Sequence, residues 1–339
     1  MRPRLLHKVA PWLPLPLSAW IKLSGQKLMM PVYHLCSEEA VPHVDPLYCV
    51  RKTSEFVEDI DTLLKYYEPI GLEDVIAVLK GDKELQKPSF WLSFDDGLRE
   101  VYEEAMPILK EKGVPATLFL NNDFLDNKAL FFRFKVSLLI NKIQKTPPSP
   151  ALQSILRERL SGRKLNRELS AESLLQIGYA DRDFLDELGD LLQVDFDGYL
   201  AERQPYLCKA EVKDWLAKGF TIGGHSLDHP EFRFIAKEEQ IRQAKESVQQ
   251  LVDDFGIAYK AFAFPFTDFG VRQVWFDKML DGEIDASFGA AGLKKDTHPL
   301  HAQRVPFEGT EDNALAILKA EYLYYALKAP LGKNQIKQR

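Results

Sequence analysis

SFWLSFDDG, residues 89–97, is an apolar run that stops on two adjacent carboxylates and a glycine. Its aromatic and aliphatic residues suit a buried strand. LREVYEEAMPILKEKG (98–113) is predicted to be a helix stopped by Gly113, and VPATLFLN (114–121) is the next strand. Strand, helix and strand in so short a span is the signature of a parallel βα unit.

The same alternation extends on both sides. Upstream, LMMPVYHL (28–35) reads as a buried strand, residues 37–51 as a loop, and helices are predicted from Thr53 and over GLEDVIAVLKG (71–81). Downstream come AEVKDWLAKG (210–219) as helix, FTIGGHS (220–226) as strand, 237–256 as a long helix, YKAFAFPF (259–266) as strand and 271–282 as helix. Short strands around ASFGA (286–290) and AQRVPF (302–307) precede a last helix over 310–328. The alternation repeats about seven times, close to a closed barrel. Between Phe124 and Pro205 the texture changes: Leu, Arg and Glu dominate without strand signals, and residues 124–205 read as a helical insertion.

The chain has 339 residues, 45% of them hydrophobic and 28% charged, enough to bury a large core. With 44 Lys and Arg against 50 Asp and Glu, its net charge of −6 argues against nucleic acid as a partner. Cys36, Cys49 and Cys208 are too few and too scattered for a disulfide framework or a thiolate zinc cluster, which fits a reducing, cytoplasmic compartment. Residues 1–27 form a basic, apolar arm: Arg2, Arg4, Lys8, Lys22 and Lys27 have no acid among them, and Pro11, Pro14 and Pro16 break any membrane span or signal-peptide core. Such an arm would either lie on the inner face of an anionic membrane, with Trp12 and Trp20 at the headgroups, or pack on the domain.

In parallel α/β folds reactive residues gather where strands end. Three predicted strand ends are polar here: Asp95-Asp96, His225 with His229, and Pro265-Phe266-Thr267-Asp268. A carboxylate and two histidines offer the three protein ligands of an open catalytic metal site, and the second carboxylate is then free to act as a base. Each piece alone has an ordinary reading, since Asp95 could cap the following helix and the histidines could be satisfied core residues. Two adjacent acids at the end of an apolar strand are costly unless a cation or protonation relieves them.

Ser93-Phe94-Asp95-Asp96-Gly97 resembles the [ST]-F-D-D-G motif of the polysaccharide deacetylases, carbohydrate esterase family four, and His225-Ser226-Leu227-Asp228-His229-Pro230 resembles their H-[ST]-x-x-H-P motif. The segment FAFPF (262–266) is similar to a third motif, and Pro31-Val32-Tyr33-His34 to the strand that opens one branch of the family. The resemblance implies a distorted (β/α)7-type barrel of mainly parallel strands, residues 28–339, interrupted by the insertion. It implies metal-dependent removal of acetyl groups, usually N-acetyl, from sugars. Asp96, His225 and His229 would bind one divalent metal, with zinc first and cobalt, nickel or iron also compatible. Asp95 would be the general base for water attacking the amide carbonyl, and the Phe266 N–H would help to stabilise the oxyanion.

Two departures stand out. Ala263 occupies the place of the family's arginine, and Arg304 is the expected substitute beside Asp95. The family's late acid histidine has two candidates, His298 and His301, of which His301 is favoured. His34, Pro265 and Phe266 are expected to line the substrate pocket. The resulting expectation is a carbohydrate deacetylase of glycan or envelope polysaccharide biosynthesis. Its rivals are an O-acetyl esterase or non-sugar amidohydrolase with the same metal centre, and a glycan-binding protein that has lost turnover.

Overall fold

The computed structural model describes residues 10, 14–161, 169–309 and 311–336. Its frame is a parallel sheet of β1 (Pro31–Tyr33), β2 (Leu92–Phe94), β3 (Ala116–Leu120), β4 (Thr221–Gly224), β5 (Ala261–Ala263), β6 (Ala286–Gly289), β7 (His301–Gln303) and β8 (Val305–Pro306). The strand order is β7-β6-β5-β4-β3-β2-β1-β8, and every neighbouring pair is parallel.

The two ends of that order are one continuous stretch interrupted only at Arg304. Its amide donates to Gly289 O at 3.0 Å on one side of the break, and the Val305 amide donates to Met30 O at 2.8 Å on the other. The sheet therefore closes on itself, and β7 with β8 make one stave of a barrel. The strands read as near-continuous apolar runs because both faces are buried, as β3 shows with all five residues inaccessible.

Helices pack outside. The helix α1 (Leu17–Ser24) buries Leu17 and Ile21 in the barrel core, and Trp20 packs against that core. Trp20 thus belongs to the domain, whereas Trp12, Arg2, Arg4 and Lys8 of the arm lie outside the described residues. No described helix is long and apolar enough to cross a membrane. Further along are α2 (Thr53–Tyr66), α3 (Leu72–Lys80) and α4 (Met106–Lys112). The predicted helix over 98–113 is only partly regular: Val101–Ala105 is a π-helical turn that leads into α4. Pro107 has no N–H to donate backward, and the ladder widens just before it.

Residues 39–50 and 127–205 form a second compact unit, apart from a first unit of 1–38, 51–126 and 206–339. The second unit contains α5 (Phe132–Lys145), α6 (Pro150–Ser161), α7 (Ala171–Leu175), α8 (Phe184–Leu192) and α9 (Phe196–Arg203). Residues 39–50, read from sequence as part of a plain loop, belong to it because Pro42 O accepts from Ser137 Oγ at 2.7 Å and from Asn141 Nδ2 at 2.6 Å. His43 is wholly buried there against Phe134 and Tyr199, and burial pushes its imidazole down to about 3.

The chain leaves the first unit after Asp126, whose amide donates to Leu207 O at 3.1 Å, and the Leu207 amide donates to Gly97 O at 3.0 Å. Phe124 to Asp126 thus stay with the barrel. The remaining barrel helices are α10 (Lys209–Ala217), α11 (Lys237–Phe255), α12 (Gln273–Met279) and α13 (Ala314–Lys328).

One buried carboxylate joins three of these elements. Asp59 of α2 accepts from Arg51 Nε at 2.8 Å, from Tyr33 Oη of β1 at 3.1 Å and from the Ala314 amide that starts α13 at 2.8 Å. Burial raises its pKa, and Arg51 and the hydrogen bonds only partly offset this. Replacing Asp59 with Ala should cost about 3–5 kcal/mol, since it strands the buried Arg51 guanidinium, and equilibrium unfolding in denaturant would measure it.

Candidate active site

All strands run the same way, so their C-terminal ends converge on one rim. Six of them deliver polar groups there: His34 after β1, Asp95 and Asp96 after β2, Asn121 after β3, His225 after β4, the 264–268 loop after β5, and Glu308 beyond β8. Gly224 just before His225 allows β4 to lie against α11, because a Cβ there would stand 2.9 Å from Val248 Cγ2.

Asp96 Oδ1 lies 3.1 Å from His229 Nε2 and 3.4 Å from His225 Nε2, and all three side chains are buried. The His225 Nδ1 is 2.9 Å from the Ala263 carbonyl oxygen, which can only accept, so Nδ1 carries a proton and Nε2 faces Asp96. Asp96 Oδ1 is buried without a hydrogen-bond partner. A carboxylate oxygen and imidazole nitrogens pointed at each other in this way are the donor set of a divalent cation, and the residues fit one. Burial opposes ionisation of Asp96, but His229 and His225 hold its carboxyl well below the usual range. The His229 imidazole is lowered by burial, against the pull of Asp96.

Asp95 points to a different partner. Arg304, fully buried in the seam of the barrel, grips it with two bonds, Nη1 to Oδ1 at 2.7 Å and Nη2 to Oδ2 at 2.8 Å. Nη1 also donates to Ser93 Oγ at 3.0 Å, and the guanidinium lies over the Phe119 ring. Burial alone would raise the Asp95 pKa, but Arg304 first and His225 second bring it below the ordinary value. Its Oδ2 is 3.9 Å from His225 Nε2, so the clamped carboxylate borders the three-residue cluster.

Backbone strain gathers here. Asp96, Ser226, His229 and Phe266 all have positive φ, between 57° and 71°, a conformation that costs a non-glycine residue about 1–3 kcal/mol. The His225–His229 loop is held in this shape by Asn121 Nδ2, which donates to His225 O, by Ser226 Oγ, which accepts from the His229 amide at 3.0 Å, and by Gln243 Oε1, which accepts from the Leu227 amide at 2.9 Å. Pro265 is buried, while Phe266 is 42% exposed with its ring 4.6 Å from that of His229.

Two other candidate histidines, His301 and His34, differ sharply. His301 is buried between Phe264 and Phe276, and both its ring nitrogens are engaged: Nδ1 with Ser287 Oγ at 2.7 Å and Nε2 with Asp268 Oδ2 at 3.0 Å. Gln303 Nε2 also donates to Asp268, at 2.8 Å. His301 is thus part of a separate buried network with Asp268 and Asp296. His34 keeps a third of its side chain exposed, and Glu308 Oε2 lies 2.7 Å from its Nδ1. Glu308 Oε1 accepts from the His34 and Leu35 amides as well. Burial opposes the charge on His34, but Glu308 outweighs it, joined by Asp96 and Asp95, and raises the imidazole to about 9.

Glu308, Asn121 and Gln243 were not singled out from sequence. Glu308 and Asn121 carried one signal, a polar residue directly beyond an apolar strand; Gln243, inside a long helix, carried none.

In fold, the chain is similar to three solved structures. These are the Streptococcus pyogenes deacetylase PplD in complex with acetate (13% identity, TM-score 0.54, covering 87% of this chain and 99% of that one), IcaB from Ammonifex degensii (15%, 0.53, 87% and 98%), and BC0361, a polysaccharide deacetylase from Bacillus cereus (15%, 0.51, 86% and 69%). No curated protein matches it in sequence. The polysaccharide deacetylase family model matches residues 82–276, more than half of the chain, a span that holds Asp95, Asp96, His225 and His229. The chain belongs to the polysaccharide deacetylase family.

Proposed function

We propose that this chain is a divalent-metal-dependent hydrolase that removes N-acetyl groups from a carbohydrate in glycan or envelope polysaccharide biosynthesis. The observation that carries this reading is the buried, unpartnered Asp96 Oδ1 facing two imidazole Nε2 atoms beside a carboxylate clamped by arginine. Asp96, His225 and His229 would hold the ion, zinc by the chemistry of an oxygen and two nitrogens. When bound, such an ion supplies Lewis acidity, lowering the pKa of a water and polarising the acetyl carbonyl.

The chain's own groups divide the rest of the work. Asp95 takes the proton of the attacking water, and Arg304 keeps that carboxylate ionised and fixed in direction. The Phe266 N–H donates to the carbonyl oxygen as charge develops on it. His34, kept protonated by Glu308, gives its Nε2 proton to the departing amine. It replaces His301 in this role, whose two nitrogens are occupied inside the second network. Pro265 and Phe266 form the wall beside His229. A glycan-binding protein without turnover would need neither a base beside the metal ligands nor a protonated imidazole opposite, which favours the enzyme. A panel of amide and ester substrates separates N-deacetylation from ester hydrolysis.

Purified protein should carry about one divalent ion per chain and release acetate from N-acetylated glycans in a chelator-sensitive manner restored by metal. Asp95→Asn should keep the ion and lose about 10²–10⁴-fold in kcat, while His225→Ala should lose both ion and activity; metal analysis and acetate assays read the two effects.

The pH profile tests His34. Its pKa is raised to about 9, so its proton is present below that pH and activity should fall as pH rises through about 9. Glu308→Gln should move the fall down toward the ordinary imidazole value of about 6.5, and His34→Gln should remove it while leaving metal content unchanged.

A further inference from the structure

The helix α13 is apolar on both sides. Inward, Ile317, Leu318, Tyr322 and Tyr325 belong to the barrel core. Outward, Leu323 and Leu327 follow one another four residues apart and lead to Leu331 in the helical turn Ala329–Leu331. A helix that is apolar all round is normally covered on every side, yet Leu327 is 56% exposed and Leu331 65%. The helix α1 packs beside it. Gln26, two residues beyond α1, donates from Nε2 to Tyr325 Oη at 3.1 Å, and its carbonyl accepts from Tyr322 Oη at 3.1 Å. While Leu17, Trp20 and Ile21 turn to the core, Leu23 is 74% exposed. Among the described residues the one other exposed leucine is Leu175, in the second unit.

Lysines accompany these leucines. Lys328 and Lys294 hold their ammonium groups 5.4 Å and 6.0 Å from the centre of the Tyr324 ring. The Lys295 amide donates to Asn334 O at 3.0 Å, which brings Lys295 next to the segment that carries Lys333, and Lys22 stands in the last turn of α1. Among the described residues none of these five lysines makes an ion pair, whereas Lys80, Lys83, Lys87 and Lys245 do. The sequence has the same bias. Residues 1–36 hold Arg2, Arg4, Lys8, Lys22 and Lys27, and residues 322–339 hold Lys328, Lys333, Lys337 and Arg339, with no Asp or Glu in either stretch of a chain whose net charge is −6. Two acid-free basic segments thus meet where α1 packs on α13.

We propose that this face, with Leu23, Leu327 and Leu331 set among Lys22, Lys328 and Lys333, docks on an anionic lipid surface. The leucines enter the boundary of the acyl chains while the lysines stay with the headgroup phosphates, as on an interfacial amphipathic helix. A second copy of the chain would set like charge against like charge, and lysine is depleted from the cores of protein–protein interfaces. Residues 1–13 complement the face no better, since they bring Arg2, Arg4 and Lys8 to a surface that is already basic.

The face lies at the end of the barrel opposite the catalytic rim. The helix α13 starts at Ala314, whose amide is bonded to Asp59 beside Tyr33 at the C-terminal end of β1, and runs back to Tyr322, bonded to Gln26 ahead of that strand. Docking therefore holds the protein at a membrane and leaves Asp95, Asp96 and His34 facing water.

The test is cosedimentation of the whole chain with vesicles of phosphatidylcholine mixed with phosphatidylglycerol, against vesicles of phosphatidylcholine alone. The wild type should bind the mixed vesicles in preference to the neutral ones and lose that binding as salt rises. Leu327→Gln with Leu331→Gln should lower partitioning by about 10-fold for each leucine. Lys328→Gln with Lys333→Gln should lower it by about fivefold for each lysine, whereas Lys328→Arg with Lys333→Arg should keep it. Melting temperature and acetate release from a soluble substrate should stay unmoved in all three variants. Equal binding to both kinds of vesicle, binding to neither, or binding that survives the leucine variant overturns the proposal. So does a wild-type dimer in sedimentation velocity that the leucine variant dissociates with vesicle binding unchanged, which would assign the face to a second copy.

Discussion

The buried pair of Arg304 and Asp95 is the contact on which the arrangement of the site turns. Asp95 and Asp96 are neighbours at the end of an apolar strand, and two carboxylates so placed cannot both stay ionised away from water without positive charge nearby. The chain solves half of this problem with a guanidinium bonded to both oxygens of Asp95, and leaves Asp96 facing two imidazoles. Arg304 reaches Asp95 only because it stands at the break between β7 and β8, where the last stave changes neighbours from β6 to β1. Closing the barrel and orienting the carboxylate are thus the same event. An arginine on β5 at position 263 would have had to approach from elsewhere; there Ala263 offers only its carbonyl, which sets the tautomer of His225.

Strain and its compensation follow the same logic. Four residues with side chains, Asp96, Ser226, His229 and Phe266, hold left-handed backbone conformations within three short loops. The histidine loop is over-determined by side-chain bonds from the scaffold, with Asn121 from the end of β3 and Gln243 from α11 bracketing it. The cost is met by rigid elements, which hold the side chains of His225 and His229 in place beside Asp96.

Much of this was legible in the sequence because its periodicities are strong. Apolar runs ending in polar residues revealed the parallel strands, and DDG and HSLDHP carried the resemblance. What stayed hidden was long-range pairing. Glu308 looks like one more acid in the 300s until the barrel closes and brings it to His34. Nothing in the sequence shows the surroundings of His301, which the register of β7 beside β6 sets against Ser287 and the buried Asp268. Pro107 was visible, but its widening of the preceding turn was not. The second unit was read as one insertion because residues 39–50 contain no helix, and only side-chain bonds to Pro42 enlist them.

That two-part second unit is anchored at closed bases. Residues 39–50 leave and return beside the Ser37 N–H to Arg51 O bond, and residues 127–205 beside the Asp126 N–H to Leu207 O bond. To the barrel, each excursion resembles a short loop whatever its length. In evolutionary terms the pair is a cassette with two plugs, each spliced in between residues that the barrel's own hydrogen bonds already hold together. Its own core imposes a different inheritance rule. Pro42 and His43 complete packing begun by Ser137, Asn141, Phe134 and Tyr199, so the smaller excursion and the larger one must be gained, lost or diversified together.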